Sequence, residues 1–122
     1  MAGSKSPDVL TYNASAAIAL GKAVTLDATG IIVTASNAKT DLSIGIAQNA
    51  VLAAGEAVEV ALPGGGGKAL LGGTVAAGDL LAPTTGGALI ATTTPGDRYI
   101  AMAMQLGVSG DIIGVEVVAG LI

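Results

Sequence analysis

Along much of this chain apolar residues recur at every second position. Val58, Val60 and Leu62 share one face while Glu59 points the other way. Ile100, Met102, Met104 and Leu106 alternate with Ala101, Ala103 and Gln105, and Ile113, Val115 and Val117 alternate with Gly114 and Glu116. Successive side chains of a strand point to opposite faces, so a period of two predicts half-buried strands. "LDATGIIV" (26–33) and "APTTGGALI" (82–90) read as hairpins closed by Thr-Gly and Gly-Gly, residues that tolerate a tight turn. One stretch, "SNAKTDL" (36–42), suits a helical turn, and its counterpart "TTPGDRY" (93–99) resists one. The pattern predicts a mainly β fold, a small β-barrel or β-sandwich with at most one or two short helical turns.

The pattern also repeats. At an offset of 57 residues, "LGKAVTLDATGIIVTAS" (20–36) falls on "AGDLLAPTTGGALIATT" (77–93), matching Gly21 with Gly78 and Gly30 with Gly87. The same offset places Gln48 on Gln105, Val51 on Val108, and "VEV" (58–60) on "VEV" (115–117). These matches predict a single β domain over 12–122 built from two similar halves, 12–62 and 69–119. Residues 63–68, which include "PGGGG", would link them, and residues 1–11 would form a polar N-terminal arm. Each half carries two turns in which glycine precedes a charged residue and a strand follows; the glycine permits positive φ and the charge marks the solvent end.

Composition sharpens this. The 122 residues include 19 glycines and no Phe, Trp, His or Cys, and half of the chain (52%) is hydrophobic, mostly in small side chains. A thin core in so apolar a chain predicts that part of its apolar surface is buried against other subunits or a larger scaffold. Five basic residues stand singly in a chain of net charge −4, which argues against nucleic acid as a partner. Without Cys, disulfides and thiolate metal sites are excluded, and without His most transition-metal sites lose their usual ligand. No metal or cofactor is expected. The opening "MAGSKSPDVL" lacks the apolar run of a secretory signal, and prolines and glycines interrupt the longest uncharged run, so no membrane span is expected either.

Candidate chemistry is sparse. "GGGGKA" (64–69) has glycines and a lysine, but Leu62 and Ala69 occupy the places where a phosphate-binding loop needs Gly and Ser or Thr. A linker is the better reading. The nine carboxylates sit mostly beside glycines or in turns, as solvent anchors, and no catalytic residue is assigned. The candidate subunit interface comprises Gln48, Glu59, Met102, Met104, Gln105 and Glu116. The two Glu and two Gln residues occupy paired positions in the two halves, and methionine adapts to either a core or a contact surface. Asp97-Arg98 reads as a local surface pair.

The run "GGTVAAGDLLAPTTGGALIATTTPGDRYIAMAMQLGVSGDIIGVEVV" (72–118) resembles the small capsid decoration, or cement, proteins of tailed bacteriophages and prophages. "LSIGIAQNAVLAAGEAVEVAL" (42–62) and "NASAAIALGKAVTL" (13–26) look similar to the same family. The resemblance implies a trimeric homo-oligomer on the outer surface of an icosahedral virion, made in the host cytoplasm. Its partner would be the major capsid protein, whose neighbouring subunits it would clamp. An arm in that family extends over the capsid, which makes Ser4, Lys5, Ser6, Pro7, Asp8, Val9 and Leu10 the candidate capsid contacts. The alternatives are another virion part, such as a tail or fibre component; an enzyme or ligand-binding module; and an ice-binding surface, for which only "ATTT" (91–94) hints at a threonine ladder.

Overall fold

In the computed structural model, which describes residues 9–122, the chain folds into two five-stranded units. The first holds β1 (Val9–Ala14), β2 (Ala23–Leu26), β3 (Ile32–Ala35), β4 (Ser43–Ala47) and β5 (Ala57–Ala61). The second holds β6 (Gly66–Leu70), β7 (Leu80–Pro83), β8 (Leu89–Ala91), β9 (Arg98–Ala103) and β10 (Ile112–Leu121). Among the described residues there is no α-helix, and the helical element present is a 3-10 turn at Thr85–Gly87. The fold is mainly β.

The first unit is a closed barrel of order β1-β3-β2-β4-β5, with β5 pairing back onto β1. The second has the order β6-β10-β9-β7-β8, the same cyclic sequence strand for strand. Its seam, β6 against β8, is bridged only at Leu71–Leu89, where the first unit pairs Asn13 with Ile32 and Ala14 with Val33. One donor accounts for much of the difference. Asn13 N–H bonds Ile31 O within its own barrel at 2.9 Å, whereas the equivalent Leu70 N–H leaves its unit to bond Gly21 O, also at 2.9 Å.

The backbone fixes which residues correspond. Ala14 N–H bonds Glu56 O and Gly55 N–H bonds Ala14 O; Leu71 N–H bonds Asp111 O and Gly110 N–H bonds Leu71 O. The offset is therefore 57 at β1 and 55 by β5. One residue is lost in the β2–β3 turn and another in the β4–β5 connection. Structurally, Gln48 corresponds to Met104 and Glu59 to Gly114: Gln48 N–H bonds Glu59 O as Met104 N–H bonds Gly114 O. The pairings of Gln48 with Gln105 and of Glu59 with Glu116, inferred at a constant offset, are corrected accordingly. Identical letters had slipped past the true register by one and two residues.

Five strands enclose little space, which the first unit fills mostly with alanine and valine and the second with larger leucine and isoleucine beside alanine. Ala14, Val24, Val33, Ala47, Val51, Val58 and Val60 fill the first barrel. Leu71, Leu81, Leu89, Ala103, Ile113 and Val115 occupy the matching positions in the second. Volumes trade between neighbours: Leu71 stands where the first unit has Ala14, and Gly107 stands where it has Val51. A Cβ on Gly107 would lie 2.7 Å from Leu71 Cδ1. The inward residues of β9 are Ala101 and Ala103, both buried; Met102 is half-buried on the outside and Met104 is exposed beyond the strand end. The methionines therefore lie outside the barrel, on the face opposite Ala101 and Ala103.

Other local expectations also shift. Residues 36–42 form no helix but a single turn closed by Asp41 N–H to Ala38 O at 3.0 Å, and the Asp41 carboxylate also accepts the N–H groups of Asn37 and Ala38 at 2.7 and 3.1 Å. The glycine-rich linker is half strand, since Gly66, Gly67 and Lys68 lie in β6. Residues 1–8 lie outside the described residues, and with them Ser4, Lys5, Ser6, Pro7 and Asp8. Val9, Leu10 and Thr11 pair with Ala61, Val60 and Glu59 of β5.

Candidate interaction surfaces

The two units meet along a buried apolar joint. The outward residues Ala23, Ile46 and Ala61 of the first unit join the same buried cluster as Leu71, Ile100 and Val117 of the second. Glycine makes the approach possible. Gly21 has φ +89, and a Cβ there would lie 2.5 Å from Leu70 N, inside the backbone of β6. Beside it the Gln48 side chain clasps β6 like an extra strand: its Nε2 donates to Lys68 O at 3.2 Å and its Oε1 accepts from Lys68 N–H at 3.1 Å. Gly67 leaves room for that amide, whose Nε2 lies 3.0 Å from the place a Cβ would take. Gln48, a candidate for subunit contact, thus serves a contact inside the chain.

The joint is completed at its far side by polar links. Asn37 Oδ1 accepts the Gly86 N–H at 3.0 Å, and Arg98 N–H bonds Lys39 O at 2.8 Å. Asp97 is buried, accepts the Thr92 hydroxyl and faces Lys39 Nζ at 3.6 Å. Its ion partner is therefore Lys39, across the joint, and not the adjacent Arg98. The polar candidate "GGGGKA" acts in this joint through the backbone of Lys68.

The remaining candidates lie on the surface. Glu59 is exposed on β5 opposite Thr11, with its N–H bonded to Asn49 Oδ1. Glu116 is exposed on β10 between Met102 and Gly66. Gln105 is exposed, and its Oε1 accepts the Gly114 N–H at 3.4 Å, the role that Asn49 has for Glu59. These side chains do not converge. Met104 and Gln105 are neighbours at one end of the second unit, while Glu59 lies on the first.

Two apolar surfaces stand out that the candidate residues only touch. At the end of the second unit Met104, Leu106, Val108 and Ile112 are all exposed, Leu106 by 76%. Elsewhere Leu42 is shared by two shallow clefts, one lined also by Arg98, Tyr99 and Leu121, the other by Leu26, Asp27, Asp41 and Ile44. The strand period marks such residues as outward but gives no clue to what lies over them. The carboxylates in the second cleft are engaged in their own turns. Asp27 accepts the Thr29 hydroxyl at 2.6 Å and the Thr29 N–H at 3.0 Å, and the hydroxyl bond above all holds its pKa below the ordinary value. Among the described residues no cluster of three or more His, Cys, Asp or Glu side chains could hold a metal ion. Among them, too, no helix is long and apolar enough to cross a membrane. What the geometry offers is apolar surface set on a closed barrel joined to a second five-stranded unit.

No protein-family model matches the chain, and no curated protein matches it in sequence. A solved structure does match in shape: the N base of the head fibre protein gp8.5 of bacteriophage phi29. It aligns with a TM-score of 0.70 over 89% of this chain and 92% of that one, at 16% sequence identity. The likeness runs through both units and shows a shared fold.

Proposed function

We propose that this chain is a structural protein of a phage virion, seated on the outer surface of the head, where it clamps neighbouring major capsid subunits. The observation that carries the reading is the end-to-end likeness of fold to a phage head-fibre base. The two-unit fold suits the task, since a load applied at one unit passes to the other through a buried joint rather than a loose linker. The exposed apolar surfaces supply area for docking, and a contact of about 1,600 Å² repeated over many copies would stabilise an assembled shell by mass action. In this reading the chain is not an enzyme and takes no cofactor.

The nature of that neighbour favours a second reading: a base that anchors a fibre to the head without stiffening the shell. Co-sedimentation of the purified protein with undecorated heads of the parent phage separates the two. The cement reading expects saturable binding at a copy number set by icosahedral symmetry and a rise in the temperature at which full heads release DNA. Saturable binding with no such rise would favour the anchor, and no binding to intact heads would sink both. Deletion of residues 1–8 then tests the arm. It must stop there, because Val9–Thr11 belong to a barrel strand.

A further inference from the structure

At one end of the first barrel β1, β3 and β4 begin and β2 and β5 end, which makes a mouth. Leu10, Leu26, Ile31 and Leu62 each stand two residues from an inward-facing Tyr12, Val24, Val33 or Val60, so they share the inward phase at the rim of this mouth. Ile44 and Leu62 pack onto the barrel core below, while Leu10, Ile31 and the adjacent Leu42 are exposed by 54, 57 and 67%. The mouth is an open aliphatic ring.

The second unit shows how this fold covers such a mouth. The matching residues there are Gly67, Pro83, Gly87, Ile100 and Val117, and all but Gly67 are buried. What lies over them is the outer wall of the first unit. A Cβ on Gly87 would lie 3.0 Å from Ala23 O, and one on Gly67 would lie 3.2 Å from Ala61 Cβ. Ile100 and Val117 share a buried cluster with Ala23, Ile46 and Ala61. A mouth of this fold is thus a seat for a strand wall that presents small and aliphatic side chains. Among the described residues no such wall lies over the first mouth.

We propose that the mouth of the first barrel is the face that meets the head, and that it seats an aliphatic, basic-flanked strand surface of a major capsid subunit. The inference rests on the virion reading above and says which face carries it out. Charge selects the partner. The cleft at the ring holds the carboxylates of Asp27 and Asp41 beside Leu26, Leu42 and Ile44, and no lysine or arginine lines it. Two copies set mouth to mouth would bring like charges together, so a second copy of this chain does not fit. A surface with Lys or Arg beside its aliphatic residues does. The course of the chain agrees. Residues 1–8 join the barrel at Val9, on the rim of this mouth, so the arm proposed to reach the shell starts where the shell would be seated. At about 3.3 Å per extended residue, eight residues span about 25 Å.

Co-sedimentation of the full chain with undecorated heads, over a range of protein concentrations, tests this. Ile31→Asp and Leu42→Asp are each expected to weaken head binding by about 30-fold or more, since each sets a carboxylate in the middle of an apolar contact. Both side chains are exposed, so each variant should keep the melting temperature of the wild type. Leu106→Asp, at the end of the second unit, should bind as the wild type does. The double variant Asp27→Asn, Asp41→Asn should bind about tenfold more weakly at low salt and lose affinity less steeply as salt is added. A wild type that does not bind heads sinks the virion reading and this proposal with it. Wild-type binding that survives Ile31→Asp and Leu42→Asp, or that falls only with Leu106→Asp, overturns this proposal alone. A double variant that binds and responds to salt as the wild type does overturns the choice of a basic partner.

Discussion

The two units share a topology and differ in how each barrel is closed. In the first, Asn13 N–H and Ser15 N–H reach β3 and seal the seam; in the second, Leu70 N–H goes to Gly21 instead and β6 meets β8 at one bridge. The same strand edge cannot both complete its own barrel and dock on its neighbour. The chain resolves this by leaving the second seam nearly open and making the joint strong. One unit supplies closure and the other supplies connection, although their strands follow one plan.

The sharpest way to break the comparison is to add one methyl group at equivalent turns. Gly21 and Gly78 both sit near φ +90, so alanine at either costs about 1–2 kcal/mol in backbone strain. At Gly21 the methyl also enters the backbone of β6, and overpacking of this kind adds about 1–3 kcal/mol. Chemical denaturation should therefore show Gly21→Ala as markedly the worse of the two, to the point of parting the units. Equal losses would mean that Gly21 is not a close contact.

A smaller difference is expected at the amides. Gln48→Ala removes both bonds to Lys68 and should cost about 1–2 kcal/mol, while Gln105→Ala, which loses one long bond at a surface, should change stability by about 0.5 kcal/mol or less. Amide exchange sharpens the contrast at the seams. Gly72 N–H bonds Leu89 O at 2.7 Å and Ser15 N–H bonds Val33 O at 2.9 Å, but β1 pairs with β3 at two residues whereas β6 and β8 share a single bridge. Gly72 should exchange about tenfold faster than Ser15, because the second seam opens with fewer bonds to break. Matching rates would show that the joint holds the second seam shut as firmly as pairing holds the first.

Much of this architecture was legible in the sequence. The strands followed from the period of two, and both hairpins from their Thr-Gly and Gly-Gly turns. The register between halves was not, because "VEV" matches "VEV" at 57 while the hydrogen bonds run at 55. Losing one residue in each of two loops leaves no trace in an alignment of such short, similar strands. Alternation along β9 reports that two faces differ, and the pairing of Ala101 with the buried Leu81 is what turns Ala101 and Ala103, not the methionines, inward. The apolar surfaces at Leu42 and Leu106 could be read as outward residues, but their exposure depends on how the units pack. The role of "PGGGG" inverted as well: glycines expected to loosen the chain let a strand and an amide approach each other.

The smallest contrast lies in the β2–β3 and β7–β8 turns. Asp27 N–H bonds Ile32 O as Thr84 N–H bonds Ala88 O, so the two residues hold the same place. Asp27 closes its turn with a carboxylate bonded by Thr29, while Thr84 makes no side-chain cap and its turn relies on Gly86 and Gly87. Only the first turn should respond to acid. Because the bonds from Thr29 favour the ionised carboxylate, folded Asp27 titrates below its ordinary value. Its contribution is full above the unfolded pKa and is lost as the pH falls through the lowered folded one. Asp27→Ala should thus destabilise slightly at neutral pH and lose that effect in acid, and Thr84→Ala should show no such dependence. A parallel pH profile for both variants would mean that the Thr29 bonds do not hold in solution, and that the two turns differ in glycine content alone.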